Sequence, residues 1–424
     1  MILLEKGDAH TTLTSREIEE SLLPVLYSLP LEGKKVLVII PDSTRTIPMK
    51  LLFNLLKKGL SGRVKKLDFM IALGTHPPLS DEELKKHLGV TYEEAKERGI
   101  QVLNHRWDKK GELQEVGVLS SKEMEEISSS LITEEVPVTV NKNIFNYDEL
   151  IILGPVFPHE VVGFSGGYKY LFPGIAGEEI THKFHWFAAL ITNPKVIGHK
   201  NTPVREVLNH AARFIPLPIT LISVVMRGEE VCGLFVGDAQ EAWSRAADLS
   251  SQVNIVYKDK PFSTVISVAP PLYQELWVGG KCMYKLEPVV ADGGKLIIYA
   301  PQIKEISVTH GKYLREVGYH TRDFFLAQWE KYRHYPGAVL AHSTHVKGIG
   351  KYVNGREYPR IEVILATSIP QEVCEEINLG YLDYHTLRPE DFMGREEEGI
   401  LVVPRAGEML YKLSDGTIPD IDKL

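Results

Sequence analysis

Short apolar runs recur along the first half of the chain, and a polar loop follows each of them. Residues 35–40 and 67–73 are two such runs, each with the length and composition of a buried strand. Helical patterns come after both, one over residues 51–56 and one after Ser80, which forms a predicted capping box with Glu83. This alternation of strand, loop and helix predicts parallel strands joined by helical crossovers.

The same pattern extends through the chain. An amphipathic helix is expected over residues 16–28, and the apolar run at residues 150–153 predicts a strand that stops at Gly154-Pro155. Further strands are predicted at residues 115–118, 136–140, 220–226, 263–269, 295–300, 338–340 and 361–366. Further helices are predicted after Thr91, near Gly177, from Thr202-Pro203, over residues 242–249, and around Trp277 and Lys281.

These elements predict an α/β protein made of two α/β domains with mainly parallel sheets. The expected domains are residues 1–258 and residues 259–424, with an active-site cleft between them that Lys281 reaches.

Composition narrows the class of protein. The chain has 424 residues, 44% of them hydrophobic and 25% charged, which is ordinary for a soluble globular protein. A net charge of −8 argues against nucleic-acid or anionic-membrane partners. We expect a cytoplasmic protein, because the chain shows neither a signal-peptide pattern nor a membrane-length apolar run. Cys232, Cys282 and Cys374 form no CxxC pair, which favours a reducing compartment and excludes a cysteine zinc cluster.

Candidate chemistry concentrates in residues 159–185. A glycine-rich loop at residues 163–167 is followed closely by Lys169, and a predicted helix then places His182 and His185 three positions apart on one face. Glycines beside a serine allow backbone N–H groups to surround a phosphate, and the lysine offers a charge or a nucleophilic amine. Taken singly, the loop is typical of a turn and the histidine pair of packed or solvated side chains.

Reactive side chains also follow predicted strands. Arg45, His76 and His159 each come directly after one. In open α/β sheets ligands bind at the carboxyl ends of strands, so these side chains are expected to line one crevice.

Three segments together resemble the nickel-dependent lactate racemase family. They are Asp42-Ser43-Thr44-Arg45, Gly74-Thr75-His76, and the stretch from His159 through Ser165-Gly166-Gly167-Tyr168-Lys169 to His185. The match lies in order and spacing, with ten residues from His159 to Lys169 and sixteen more to His185.

The resemblance implies a cofactor and a set of roles. The cofactor is a nickel ion held by pyridinium-3,5-bisthiocarboxylic acid mononucleotide, the nickel-pincer nucleotide, covalently bound to Lys169. His185 completes the nickel ligands, while His76 and His159 act as the acid/base pair. Arg45 and Lys281 hold the substrate. The remaining cofactor contacts, to its phosphate, fall on Ser165, Gly166, Gly167 and Thr44.

The implied activity is a racemase or epimerase that inverts C2 of a 2-hydroxy acid. Lactate itself is in doubt, because Val278 occupies the position of a substrate-contacting glutamine. The resemblance includes racemases and epimerases of other 2-hydroxy acids, some larger or polyhydroxylated, so the reaction type is predicted and the substrate stays open, with His310 as a further candidate contact. Proteins that build the cofactor are implied partners, and the chain is expected to be a monomer or small homo-oligomer.

Three alternatives remain open at the level of sequence. A zinc-dependent hydrolase would use His159, His182 and His185 as ligands, with Glu178 or Glu179 as the base. A pyridoxal-phosphate enzyme would use Lys169 as its Schiff-base lysine. A non-catalytic nucleotide-binding protein would use the glycine-rich loop alone.

Overall fold

The computed structural model describes residues 1–424. Its strands are β1 Ile2–Gly7, β2 Lys35–Pro41, β3 Lys66–Ala72, β4 Val102–Asn104, β5 Leu113–Leu119, β6 Val136–Asn141, β7 Glu149–Pro155, β8 Pro158–His159, β9 Gly163–Phe164, β10 Ile219–Arg227, β11 Glu230–Asp238, β12 Ile255–Lys258, β13 Phe262–Val268, β14 Val290–Ala300, β15 Gly350–Val353, β16 Arg356–Pro359, β17 Glu362–Thr367, β18 Gly380–Tyr381, β19 Ile400–Val403 and β20 Leu410–Leu413.

The helices are α1 Ser15–Ser28, α2 Met49–Leu60, α3 Asp81–Leu88, α4 Tyr92–Glu97, α5 Ser121–Ser128, α6 Glu178–Ile191, α7 Asn193–Val196, α8 Pro203–Ala212, α9 Ala239–Val253, α10 Leu276–Gly279, α11 Lys281–Tyr284, α12 Gly311–Val317, α13 Arg322–Ala327, α14 Trp329–Tyr332, α15 Gly337–Lys347 and α16 Gln371–Glu376. The predicted α/β class with mainly parallel sheets is confirmed. None of the helices combines the length and the apolar character needed to cross a lipid bilayer.

Two compact units make up the chain. Unit 1 comprises residues 1–157, 164–181 and 205–253, and unit 2 comprises residues 158–163, 182–204 and 254–424. The boundary predicted from the sequence, at residue 259, instead places residues 158–163, 182–204 and 254–258 in the N-terminal domain. The second of these segments groups with unit 2 because its aromatic side chains pack there: Trp186 stacks on Trp329 at 5.3 Å between ring centroids.

Unit 1 is built on a seven-stranded sheet in the order β1-β11-β10-β7-β2-β3-β4. The strands from β10 to β4 are parallel, whereas β11 runs antiparallel to both of its neighbours. β7 is buried throughout, as expected of a parallel strand covered on both faces. The chain winds outward from β2 through β3 to β4 and then returns to place β7 on the other side of β2. The carboxyl ends of β2 and β7 therefore flank a topological switch point.

Unit 2 contains a five-stranded parallel sheet in the order β18-β17-β14-β13-β19. Residues 338–340, predicted as a strand, belong instead to helix α15. The prediction was wrong because α15 is buried all round from Ala338 to Val346, and a short apolar run of a buried helix has no periodicity that distinguishes it from a strand.

Candidate active site

A histidine–aspartate pair lies at the carboxyl ends of β2 and β3. Asp42 follows β2 directly, and its Oδ2 lies 2.5 Å from Nδ1 of His76, in the loop after β3. Asp42 is only 5% exposed. Burial alone would raise the pKa of Asp42, but the facing His76, the Arg45 guanidinium and the Thr44 hydroxyl together hold that pKa well below its usual value. The pair is therefore a carboxylate that orients an imidazole.

Thr44 connects this carboxylate to the candidate substrate-binding arginine. Its hydroxyl donates to Asp42 Oδ1 at 2.6 Å and accepts from the Arg45 guanidinium at 3.0 Å. The backbone N–H of Thr44 donates to the same carboxylate oxygen. Thr44, Arg45 and His76 are all half-buried, so their polar atoms remain within reach of a bound molecule.

The backbone of the glycine-rich loop after β7 accepts hydrogen bonds from two side chains that the sequence pattern does not identify. Arg205 in α8 donates to the carbonyl oxygens of Phe164 and Gly166, and its guanidinium lies over the Trp243 ring, 4.1 Å from the centroid. Trp243 in α9 donates through Nε1 to the Ser165 carbonyl at 2.8 Å. Three successive carbonyl groups of the loop are thus hydrogen-bonded to Arg205 or Trp243.

The two adjacent glycines of the loop are required by its geometry. Gly166 and Gly167 have φ values of +81° and +60°, in the left-handed region that disfavours side chains. A Cβ on Gly166 would lie 2.8 Å from Val156, and one on Gly167 would lie 3.0 Å from the Trp243 ring. Any other residue would displace the loop from its support.

Ser165 shapes the loop from within. Its N–H donates to the Phe157 carbonyl at 2.7 Å, and its hydroxyl donates to Pro155 O and accepts from the Phe157 N–H. Because the Ser165 N–H already donates to Phe157 O, the N–H groups of Gly166 and Gly167 are more accessible to a phosphate than that of Ser165.

Lys169 lies in a 3-10 turn, Gly167–Tyr170, that continues from the loop. Its backbone N–H donates to Gly166 O at 3.2 Å, and its side chain is half-buried. The N–H of Gly74, two residues before His76, donates to Gly174 O at 3.0 Å, which joins the β3 loop to the segment after Lys169.

Tyr170, next to Lys169, lies within the electrostatic influence of the loop after β2. The Tyr170 hydroxyl packs against the backbone of Gly154 in β7, so closely that a Cβ on Gly154 would lie 2.1 Å from the hydroxyl oxygen. Burial raises the pKa of Tyr170, with Arg45 opposing and Asp42 adding to the effect. Unit 1 thus brings the Arg45, His76 and Lys169 segments to one edge of its sheet.

In unit 2, Nδ1 of His159 has one hydrogen-bond partner for the neutral ring and another for the protonated ring. It lies 3.1 Å from the backbone nitrogen of Val161, whose N–H can donate to a neutral ring. It also lies 3.2 Å from Oε2 of Glu160, which can accept a hydrogen bond from a protonated ring. The His159 side chain is 13% exposed. Such an environment suits a group that gains and loses a proton in turn.

His182 and His185 lie on α6 at the predicted spacing, and both are half-buried. The Phe184 ring packs against His185 at 4.5 Å between centroids. No group of three or more histidine, cysteine, aspartate or glutamate side chains is arranged to hold a metal ion. This finding disfavours the zinc site of His159, His182 and His185.

Lys281 opens α11, directly after the break between α10 and α11 at Gly280. Its ammonium lies 4.9 Å from the centroid of the Tyr273 ring, a cation–π contact. Val278, where the resemblance places a glutamine, is 7% exposed and apolar.

His310 is buried, and its ring makes a tilted contact with Trp277 at 4.4 Å between centroids, while the His342 ring stacks on the same indole at 4.3 Å. This stack supports the segment that carries Lys281. His310 contributes to it as a packing group.

Comparison with known proteins gives a consistent picture. The model of the lactate racemase N-terminal domain matches residues 9–197. Lactate racemase of Thermoanaerobacterium thermosaccharolyticum is 29% identical over 279 residues, which cover 63% of this chain and 60% of that protein. Lactate racemase of Lactiplantibacillus plantarum is 26% identical over 302 residues, covering 69% and 67%. The aligned part thus spans less than two thirds of the first of these relatives.

Solved structures extend the similarity to the full length. A Thermotoga maritima protein matches with a TM-score of 0.88 and 35% identity, covering 97% of this chain and 100% of that chain. The lactate racemase apoprotein of Thermoanaerobacterium thermosaccharolyticum matches with a TM-score of 0.69 and 20% identity, covering 96% and 94%, a similarity in fold.

Proposed function

Because the chain belongs to the lactate racemase-like family, we propose that it is an isomerase that inverts C2 of a 2-hydroxy acid. The observation that carries the proposal is the Asp42–His76 pair beside Arg45, at the switch point of the unit 1 sheet. It joins an acid/base group to a carboxylate-binding cation where α/β proteins bind ligands.

The cofactor that we propose is the nickel-pincer nucleotide, bound covalently to Lys169. The glycine-rich loop suits a mononucleotide, because Gly166 and Gly167 leave the backbone open to close approach by a phosphate. The hydroxyl and the backbone N–H of Thr44 both donate to Asp42, so a contact from Thr44 to the phosphate would require its hydroxyl proton to turn away from that carboxylate. His185 offers an imidazole, a donor that nickel accepts readily. When bound, this cofactor supplies an acceptor and donor for the hydride of C2.

The residues of the chain handle the proton and the carboxylate. Arg45 binds the substrate carboxylate in bidentate fashion and Lys281 adds a second positive charge. His76 takes the hydroxyl proton of one enantiomer as the hydride leaves. His159 returns a proton to that oxygen when it lies on the opposite side, and the two histidines exchange roles in the reverse direction.

The substrate that we propose is a 2-hydroxy acid larger than lactate. Val278 is buried and has no amide to offer, so the contact made by a glutamine at this position is lost. We also propose cytoplasmic function together with the proteins that assemble the cofactor. The three cysteines are buried free thiols, which is consistent with a reducing compartment.

The test is co-expression of the full chain with cofactor-building proteins. Intact mass should show an adduct on Lys169, and metal analysis about one nickel per chain. Chiral chromatography should then show inversion of at least one enantiopure 2-hydroxy acid. A Lys169→Arg variant, which keeps the charge but cannot form the tether, is the matched control and should show neither adduct nor inversion.

Two results would refute the proposal. One is unmodified mass together with no inversion of any acid tested. The other is the loss of a C2 deuterium label to solvent during turnover, which would replace hydride return with proton abstraction.

A further inference from the structure

Three successive carbonyl groups of the glycine-rich loop accept hydrogen bonds from Arg205 or Trp243. Phe164 O and Gly166 O accept from Arg205, and Ser165 O accepts from Trp243. Arg205 is 2% exposed and Trp243 is 7% exposed, so these contacts are shielded from water. Burial lowers the pKa of Arg205 to about 9, which still leaves the guanidinium charged near neutral pH.

The directions of these carbonyl groups also determine where the N–H groups of the loop point. In a trans peptide the C=O of one residue and the N–H of the next point in opposite directions. The loop peptides are trans, since the one cis bond of the chain is Phe172–Pro173. Because Ser165 O and Gly166 O point toward Trp243 and Arg205, the N–H groups of Gly166 and Gly167 point away from them.

The same carbonyl also reaches the lysine. Gly166 O accepts from Arg205 at 3.3 Å and from the backbone N–H of Lys169 at 3.2 Å. The position of the 3-10 turn that carries Lys169 is therefore linked to the Arg205 contact.

We propose that Arg205 and Trp243 are positioning residues that turn the N–H groups of Gly166 and Gly167 away from their own side chains and toward the phosphate of a pyridinium mononucleotide, and that align Lys169 beside it. The identity of this anion rests on the proposed function, whereas the control of the loop by Arg205 and Trp243 does not. N–H groups that point away from the buried Arg205 and Trp243 can donate to an anion, and the buried guanidinium behind them adds electrostatic attraction.

The experiment compares Arg205→Lys, Trp243→Phe and a control, Arg213→Lys. Arg213 is exposed and pairs with Glu123, so its variant makes the same chemical change away from the loop. Hydrogen exchange of the amides of residues 166–170 is measured in the cofactor-free chain. Exchange of the Lys169 N–H, which is bonded to Gly166 O, should rise roughly tenfold or more in Arg205→Lys, because lysine cannot reproduce the two hydrogen bonds of the guanidinium, and less in Trp243→Phe. The control should match the wild type.

Nicotinamide mononucleotide serves as the phosphate-bearing probe. It should slow exchange at Gly166 and Gly167 in the wild type and the control, and require roughly tenfold higher concentration in Arg205→Lys, as expected when a charged hydrogen bond is lost. Equal loop exchange, or equal protection by the probe, in Arg205→Lys and wild type would overturn the proposal. If Arg205→Lys fails to fold by circular dichroism, Trp243→Phe decides in the same way.

The two experiments distinguish a failure of the positioning role from a failure of the proposed function. Should the probe experiment succeed while co-expressed wild type never gains an adduct on Lys169, the positioning role stands and the lysine-tethered cofactor does not.

Discussion

Asp42→Asn is the sharpest test of the acid/base proposal. Asparagine keeps the size of the side chain, and its Oδ1 can still accept from Thr44 or His76. It removes the charge that faces His76 at 2.5 Å. The substitution therefore removes stabilisation of the imidazolium and leaves the geometry nearly intact.

The expected loss follows from the contact. A hydrogen bond that involves a charged group contributes about 1.5–3 kcal/mol. Asp42 is 5% exposed and the His76 side chain is 21% exposed, so solvent screens this pair little. If His76 is protonated in the rate-limiting step, that energy corresponds to a roughly 10- to 150-fold fall in turnover.

The assay is the rate of C2 inversion by loaded enzyme, with the adduct on Lys169 measured in the same sample. Asp68→Asn is the matched control: Asp68 is fully buried on β3 and bonds to Tyr147 and to the Gln101 N–H, outside the site. That variant should lose stability but keep its turnover per loaded chain. Wild-type turnover in Asp42→Asn, or an equal loss in both variants, would refute the role of Asp42.

Three further predictions concern other parts of the chain. Burial lowers the pKa of His342 to about 3 and that of His345 to about 4. Between pH 6.5 and these values the unfolded chain therefore binds more protons than the folded chain, so the free energy of unfolding of unit 2 should fall as the pH falls. The expected slope is up to roughly 1.4 kcal/mol per pH unit per histidine, measured by denaturant titration at several pH values. His345→Gln should flatten that slope, and an unchanged slope would contradict the cause. Gly167→Ala should abolish the adduct on Lys169 while Gly62→Ala, which also has positive φ but meets open space, leaves it unchanged; normal loading of Gly167→Ala would contradict the need for that loop geometry. Val278→Gln should raise kcat/KM for lactate relative to larger acids, and an unchanged preference would show that this position does not select the substrate.

Many strands and helices of unit 1 could be predicted from the sequence, because the patterns that indicate them span only a few neighbouring residues. The apolar runs at residues 35–40 and 67–73 correspond to β2 and β3, and both the capping box of Ser80 and the helix after Thr91 are present as predicted. Side chains placed directly after strands needed only the rule that parallel strands end at one edge. This is why the proximity of Arg45 and His76 could be foreseen.

What could not be foreseen depends on contacts distant in sequence. Arg205 lies about forty residues beyond the loop whose carbonyls it binds, and Trp243 lies farther still. Nothing in an amphipathic helix pattern marks one arginine as buried. The assignment of α6 residues to unit 2 likewise depends on Trp186 meeting Trp329, a pairing without any sequence signature.

The threonine hydroxyl between Arg45 and Asp42 has one proton and uses it on the carboxylate, so the arginine can only be its donor. Under the proposed roles of Arg45 and His76, substrate binding and proton transfer would therefore share one hydrogen-bond chain: pairing the guanidinium with a substrate carboxylate should change the polarity of the Thr44 hydroxyl, and through Asp42 that of the imidazole. Serine would preserve that relay and valine would interrupt it. If Arg45 and His76 have the proposed roles, changes made to widen the substrate range would have to keep a hydroxyl-bearing side chain at residue 44.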